Sequence, residues 1–477
     1  MTQRDLPSGN RQSGGFISGR RLATAVLAAL AICTAGAEAQ ERRTPVERYL
    51  RHYSRVEMDP RAVSATVRAT GEFTLPTEDG VFNLSLSPHD VRAPHYRAEE
   101  SWSDGRIRPV ALETMHTFRG SVPGVEGIEA RFTIREDLVE GIVITPGEWY
   151  MIEPMRHYDP SSRSTEMVVY RASDVEPDSL GTCATSLRER IGRVQDLVSP
   201  RALEAHGAAL TSPSMLDANG SISVADVATE ADYEFVSAYG SSASANNAIL
   251  EVMNQVDGIY RSQLSISLRV TYQHAWATSE DPYVSTSPST MLDEFRTHWS
   301  ANFSSQPFDL AHMWTGKDID GSTIGIAYLG VACSARSYSY GISQKINTAP
   351  GKYILTAHEI GHNFDATHTE NADPPQVDCS NTIMNSYVGT GTNFCAYSRA
   401  EISTHTSHYS SCLEAETSSC DINGDGQMNV LDLQSLANTI LGLIACPGDC
   451  DSNKDGDVNA LDVQLQANVI LGIATCP

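Results

Sequence analysis

The chain has 477 residues, with 34 Lys and Arg against 59 Asp and Glu and a formal charge of −25. At ~150 residues per domain this allows roughly three domains, and a hydrophobic content of 41% with Gly and Pro scattered throughout excludes a disordered tail or a fibre. The acidic balance argues against a phosphate-binding surface and so against nucleic acid as partner, and ten cysteines in this length are too few for a scaffold built on disulfides alone. Residues 1–39 read as a signal peptide: a polar start ending in Arg20-Arg21, an apolar run from Leu22 to Ile32, then small residues to a cut after Ala39. No later run is long and apolar enough for a membrane span. A secreted, extracellular chain meets an oxidising compartment, so the cysteines beyond Cys33 read as disulfides with one left over.

Residues 40–210 hold strand-like runs at 63–73, 81–86, 129–134 and 138–144, which predicts a mainly β front domain. The segment 211–225 is rich in small residues, Ser and Pro and reads as a linker. From 226 to 413 strand and helix patterns alternate: strands at 234–236, 266–272 and 324–329, helices at 247–261 and 291–301. This predicts an α/β domain. A short linker (414–419) leads to 420–477, an internal repeat in which Cys420-Asp421 and Cys450-Asp451 open two copies that each end in Cys-Pro.

The strongest chemical signal is T-A-H-E-I-G-H-N-F-D-A-T-H at 356–368. On a helix His358 and His362 lie four apart on one side, so two neutral imidazoles can hold one Zn²⁺. Glu359 is then placed as general base, to take a proton from the water that the metal activates. Gly361 and the residues after His362 let the chain turn so that His368 arrives as third ligand, leaving the fourth position open as in a catalytic site. Met384 follows in T-I-M-N-S-Y.

This constellation resembles the metzincin metallopeptidases, and within them the reprolysin (adamalysin, ADAM-like) branch, whose edge-strand segment is similar to L-A-H-M-W-T-G-K-D-I-D-G-S-T-I-G-I-A-Y-L-G-V-A-C at 310–333. The resemblance implies a mixed sheet with helices, a secreted zinc endopeptidase, and Met384 as a Met-turn beneath the metal. It implies that Ile326, Ala327, Tyr328, Leu329 and Gly330 pair with an extended peptide substrate. It also implies disulfides Cys333–Cys412 and Cys379–Cys395. One departure stands out: the family's Gly three residues after the second His is Asp365 here, a residue that tolerates the left-handed turn. A rival reading continues the helix, makes Asp365 the ligand and leaves His368 idle. His312, His405 and His408 fit no ligand spacing and read as surface or structural residues.

Residues 66–155 resemble a reprolysin propeptide, through F-N-L-S-L-S-P-H-D at 82–90 and the stretch 119–154. The odd cysteine, Cys183 in G-T-C-A-T, is a zymogen-switch candidate whose thiolate can fill the open zinc position; the alternative is a free buried Cys. Activation cleavage is expected between 185 and 225.

Each tail repeat sets oxygen donors at EF-hand spacing: Asp421, Asn423, Asp425, Gln427, Asn429 and Asp432 for one Ca²⁺, and Asp451, Asn453, Asp455, Asp457, Asn459 and Asp462 for a second. With a helix only on the C-terminal side of each loop, the pair resembles a dockerin module, an α-helical EF-hand pair that implies docking to a cohesin-like receptor. Equal spacing suggests Cys420–Cys446 and Cys450–Cys476, although four cysteines permit three connectivities. Two other functions stay open: a non-catalytic calcium-dependent adhesion or scaffold protein, and a metallohydrolase acting on a non-peptide substrate.

Overall fold

The structure is a computed structural model that describes residues 44–176, 180–186, 222–371, 379–416, 420–423, 428–453, 457–471 and 476. The signal-peptide reading, most of the 211–225 linker, and Asp425, Gln427 and Asp455 lie outside those residues. From Pro45 onward the chain is one compact unit.

The front segment opens with β1 (Ser54–Glu57) and α1 (Pro60–Thr70). The run at 63–73, expected as a strand, is therefore helix up to Thr70. Asp59 accepts from Arg61 N–H at 3.0 Å, Pro60 stands at the first helical position, and Gly71 ends the helix at φ +72°. Nine strands follow: β2 (Glu72–Thr77), β3 (Gly80–Pro88), β4 (Arg92–Ser101), β5 (Ile107–Pro109), β6 (Thr117–Ser121), β7 (Glu129–Arg135), β8 (Leu138–Ile144), β9 (Trp149–Pro154) and β10 (Glu166–Arg171). Eight of the ten strands β1–β10 make an antiparallel sheet in the order β1-β10-β9-β8-β7-β6-β3-β2. In β8 every residue is buried because both faces are covered. Val139 and Val143 join Phe73 and Phe132 on one side, while Ile142 and Ile144 join the core of the α/β domain on the other.

Two short-range facts shape the α/β domain. Its first strand, β12 (Ser223–Ala231), begins inside the stretch read as linker, and residues 234–236, expected as strand, lie in α2 (Tyr233–Tyr239). Asp232 caps that helix by accepting from Phe235 N–H at 2.8 Å, and Phe235 and Val236 form its buried face rather than a strand. The remaining elements are α3 (Ser242–Leu264), β13 (Ile266–Trp276), α4 (Pro288–Asn302), β14 (Leu310–Thr315), β15 (Thr323–Ala327) and β16 (Tyr340–Gln344). They continue with α5 (Gly351–Asn363), α6 (Ala396–His408) and β17 (Glu414–Ala415).

The sheet order is β11-β15-β16-β14-β12-β13-β4-β5, where β11 is Thr182–Cys183, with β17 paired to the start of β12. Front-segment strands thus cover both edges: β4 runs parallel to β13, and β11 parallel to the opposite edge, β15. Glu414 and Ala415, expected as linker, are paired because Ser223 and Val224 offer them a free edge.

In the tail, α7 (Val430–Ile440) and α8 (Ala460–Ile470) enclose Ile422, Leu436 and Cys450. The bridges are Cys420–Cys476 and Cys446–Cys450, which corrects the pairing within each repeat. Packing the two repeats together brings the head of the first to the end of the second.

Candidate metal centre and cleft

Helix α5 carries the H-E-x-x-H motif, and its residues from Tyr353 to Asn363 are all buried. It ends in a Schellman turn: Asp365 N–H donates to His362 O at 2.9 Å and Ala366 N–H to Gly361 O at 3.0 Å. The left-handed residue this turn requires is Asp365, at φ +72°. Edge-loop backbone covers the other helix-end carbonyls, with Gly330 N–H on His362 O at 2.8 Å and Val331 N–H on Asn363 O at 2.9 Å. The turn brings His368 back against the helix.

The three imidazoles converge. The Nε2 atoms of His358 and His362 are 3.0 Å apart, and each lies 3.2 Å from Nε2 of His368. His358 Nδ1–H donates to Ile383 O at 2.6 Å, and His362 Nδ1–H to Ala366 O at 2.7 Å. A carbonyl can only accept, so both rings carry their proton on Nδ1 and present a bare Nε2 lone pair. Burial, with His368 adding to it, pushes His358 down to about 3; burial and the two neighbouring rings hold His362 well below its ordinary value. His368 is lowered too, by burial, against the pull of Glu370. Neutral lone pairs this close repel one another unless a cation sits among them. A tetrahedral zinc with Zn–N bonds of about 2.05 Å would set its nitrogens ~3.3 Å apart, so the residues fit that ion. Asp365, the rival ligand, instead stands over Gly330, where its Oδ1 lies 2.6 Å from the position of an added Cβ.

Cys183 closes the group. Its sulfur lies 3.5 Å from His362 Nε2 and 3.4 Å from Glu359 Oε2, and all four candidate ligand atoms of Cys183, His358, His362 and His368 fall within 4.8 Å of one another. Thr185 N–H donates to the sulfur at 3.3 Å. Burial, reinforced by the Glu359 carboxylate, pushes the thiol well above its ordinary value, so only a cation would hold it as thiolate. Burial likewise raises the Glu359 carboxyl well above the usual range. Its Oε1 is buried with no partner among the described residues.

Residues 181–185 lie in a cleft between two backbones. On one side Thr182 N–H donates to Ser322 O at 2.7 Å and Ala184 N–H to Gly325 O at 3.0 Å, while Ala327 N–H donates to Thr185 Oγ1 at 2.9 Å. On the other, Cys183 N–H donates to Ser386 O and Val388 N–H to Gly181 O, both at 2.9 Å. The strand edge that faces 181–185 is 323–327. Ile326 and Ala327 belong to it; Tyr328, Leu329 and Gly330 leave the strand, because the chain turns at Gly330 (φ +69°) to cap α5. Met384 is fully buried against Gly361, and Met384 O accepts from Thr369 N–H at 3.0 Å.

The cystines Cys333–Cys412 and Cys379–Cys395 form as the resemblance implied. His312 and His405 are buried and structural, bonded to Ser343 Oγ (2.9 Å) and Ala332 O (2.7 Å), and His408 is exposed. In the tail, Asp432 accepts from Asn423 N–H (3.1 Å) and Asn429 N–H (2.8 Å), and Asp462 repeats this with Asn453 (3.0 Å) and Asn459 (2.8 Å). The described donors Asp421, Asn429, Asp451 and Asp457 lie in the same two loops, with Asn429 and Asn459 also capping α7 and α8. Sequence reasoning gave no role to Gly325, Thr185, Ser386 and the pair Thr367–Glu401; the first three and Thr367 stand inside the motifs it singled out, but their partners lie far away in the chain.

Residues 222–401 match the family Reprolysin_5, described as metallo-peptidase family M12. The chain is 22% identical over 375 residues to disintegrin and metalloproteinase domain-containing protein 10 of Bos taurus, an alignment covering 68% of this chain and 50% of that protein. It is 30% identical over 141 residues to the zinc metalloproteinase-disintegrin-like brevilysin H2a of Gloydius brevicauda, covering 28% and 32%. With disintegrin and metalloproteinase domain-containing protein 19 of Mus musculus it shares 34% over 121 residues, covering 25% and 13%. The chain thus spans half or less of the length of these curated relatives. No helix among the described residues is long and apolar enough to cross a membrane. Over 222–401 the chain is similar to the reprolysin-type metallo-peptidases of family M12.

Proposed function

We propose that the chain is a secreted zinc endopeptidase made as a zymogen. The observation that carries this is the convergence of three neutral Nε2 atoms at 3.0–3.2 Å beside a buried carboxylate in a peptide-width cleft. His358, His362 and His368 would hold the zinc, which supplies Lewis-acid polarisation of a carbonyl and a lowered pKa for water. Glu359 takes the proton of the attacking water on the oxygen that faces the cleft and passes it to the leaving amine. The backbone of 323–327 and the carbonyl of Ser386 orient an extended substrate as an added strand. In the uncut chain Cys183 would take the fourth ligand position, and 181–185 fill the cleft, which keeps substrate out. By the dockerin-like repeat the two tail loops bind Ca²⁺ and the tail docks a cohesin-like receptor; Val430, Leu431 and Leu461 are exposed at repeat positions 10 and 11.

The primary test is casein cleavage by purified, activated protein. Chelation abolishes it, and Glu359→Gln keeps zinc and fold while losing about 10²–10⁴-fold in rate. A Glu359→Gln chain as active as wild type sinks the assignment. Separately, Cys183→Ser should release activity from the uncut chain at least in part. An uncut serine variant that stays fully silent removes the switch.

A further inference from the structure

The three imidazoles are not equally supported. His358 and His362 each donate Nδ1–H to a backbone carbonyl, which fixes ring and tautomer. His368 Nδ1 has no such protein partner among the described residues. Its orientation must come from the backbone that carries it. On its N-terminal side Ala366 is tied down by the Schellman turn, and beyond it Thr369 N–H is tied to Met384 O. Between them stands Thr367. Its N–H donates to Glu401 Oε2 at 2.9 Å and its hydroxyl to Glu401 Oε1 at 2.8 Å. Glu401 comes from α6, and Thr367 and Glu401 are both buried. No cation pairs with Glu401 among the described residues. The Tyr397 side chain also hydrogen-bonds this carboxylate, but two of its bonds go to Thr367, and a carboxylate buried on neutral donors is expensive to keep, so that two-pronged grip calls for a reason.

We infer that Glu401 is a positioning residue for the metal centre: it clamps Thr367 so that His368, whose Nδ1 has no acceptor among the described residues, meets the other two imidazoles. The inference rests on the zinc reading above and deepens it. The clamp also explains how the turn tolerates Asp365, since a rigid anchor two residues on limits where a strained left-handed residue can relax.

Zinc transfer from the full chain to a chromogenic chelator tests this without any turnover. Glu401→Gln keeps the volume but offers an N–H to one of the two donors. It should raise the zinc dissociation constant about tenfold, the usual scale for losing a group that orients a ligand. Thr367→Val, which removes only the hydroxyl bond, should raise it by a smaller factor. Thr367→Ser, which restores both bonds, should match wild type. The cobalt-substituted chains should show the same ranking in the intensity of the metal's visible band. If Glu401→Gln does not fold, the Val and Ser substitutions at 367 still decide. Zinc affinities of Glu401→Gln and Thr367→Val within twofold of wild type overturn the inference, as does failure of Thr367→Ser to restore affinity. A wild-type chain that binds no zinc overturns the proposed function itself.

Discussion

Gly361 and Gly325 show how closely the site is built at the level of single atoms. A Cβ on Gly361 would stand 2.8 Å from Met384 Sδ and 3.2 Å from the Phe394 ring; one on Gly325 would stand 2.3 Å from Glu359 Oε1. Both positions are occupied by partners that cannot move freely, but the partners differ in kind. Gly361→Ala overpacks a buried apolar seam and should cost about 1–3 kcal/mol, seen as a lower melting temperature with the zinc content retained. Gly325→Ala pushes the carboxylate that moves the proton, so proteolysis should fall well beyond any loss of stability. Equal activity in both alanine variants would contradict the geometry. The histidines and Glu359 were legible in the sequence because four-residue spacing on a helix is a local signal. Gly325 and Glu401 were not, because their roles come from an edge strand and a distant helix that meet α5 only in the fold.

At the scale of elements, helix α3 faces two ways. One side packs into the α/β core. The other presents Asn254 and Asp257 to the front segment, where the fully buried Arg131 of β7 sets its Nη1 2.8 Å from Asp257 Oδ2 and its Nε 2.7 Å from Glu129 Oε1. In the sequence these polar positions read as the solvent face of an amphipathic helix; no periodicity distinguishes water from a partner sheet. Burial alone would push the Asp257 carboxyl up, but Arg131, then Arg261 and His89, outweigh it and hold it at about 2 against an ordinary 3.8. The folded value lies below the unfolded one, so the stabilisation is present above pH ~4 and is lost as pH falls towards ~2; a difference of about two units is worth roughly 2–3 kcal/mol. Urea titrations across that window should show stability falling in wild type and a flatter profile in Asp257→Asn. The variant should also lose roughly 3 kcal/mol at neutral pH, because the buried Arg131 keeps Glu129 as its one carboxylate partner among the described residues. Parallel pH profiles for the two proteins would refute the assignment.

At the scale of the whole molecule, the front segment is woven into the α/β domain. β4 adds to β13 on one edge, β11 to β15 on the other, and Glu140 of β8 bonds Lys352 and Tyr353 in the first turn of α5. Composition and strand patterns indicated a β-rich front and an α/β second part joined by a linker, but pairing between distant strands leaves no local trace, so their interleaving was not legible. This has a consequence for activation. A single cut between Ser186 and Ile222 breaks one covalent link but none of these contacts, and Gly181–Thr185 stay paired on both walls of the cleft. The nicked protein should therefore elute as one species on gel filtration at neutral pH, both fragments appearing together on a denaturing gel, with proteolysis still low. Activity should rise only as the front fragment is lost, whether by a further cut within it or by acid weakening of the Arg131–Asp257 pair. A nicked sample whose fragments separate at neutral pH, or that is fully active while they remain together, would mean that the strand pairs do not hold the segment in place.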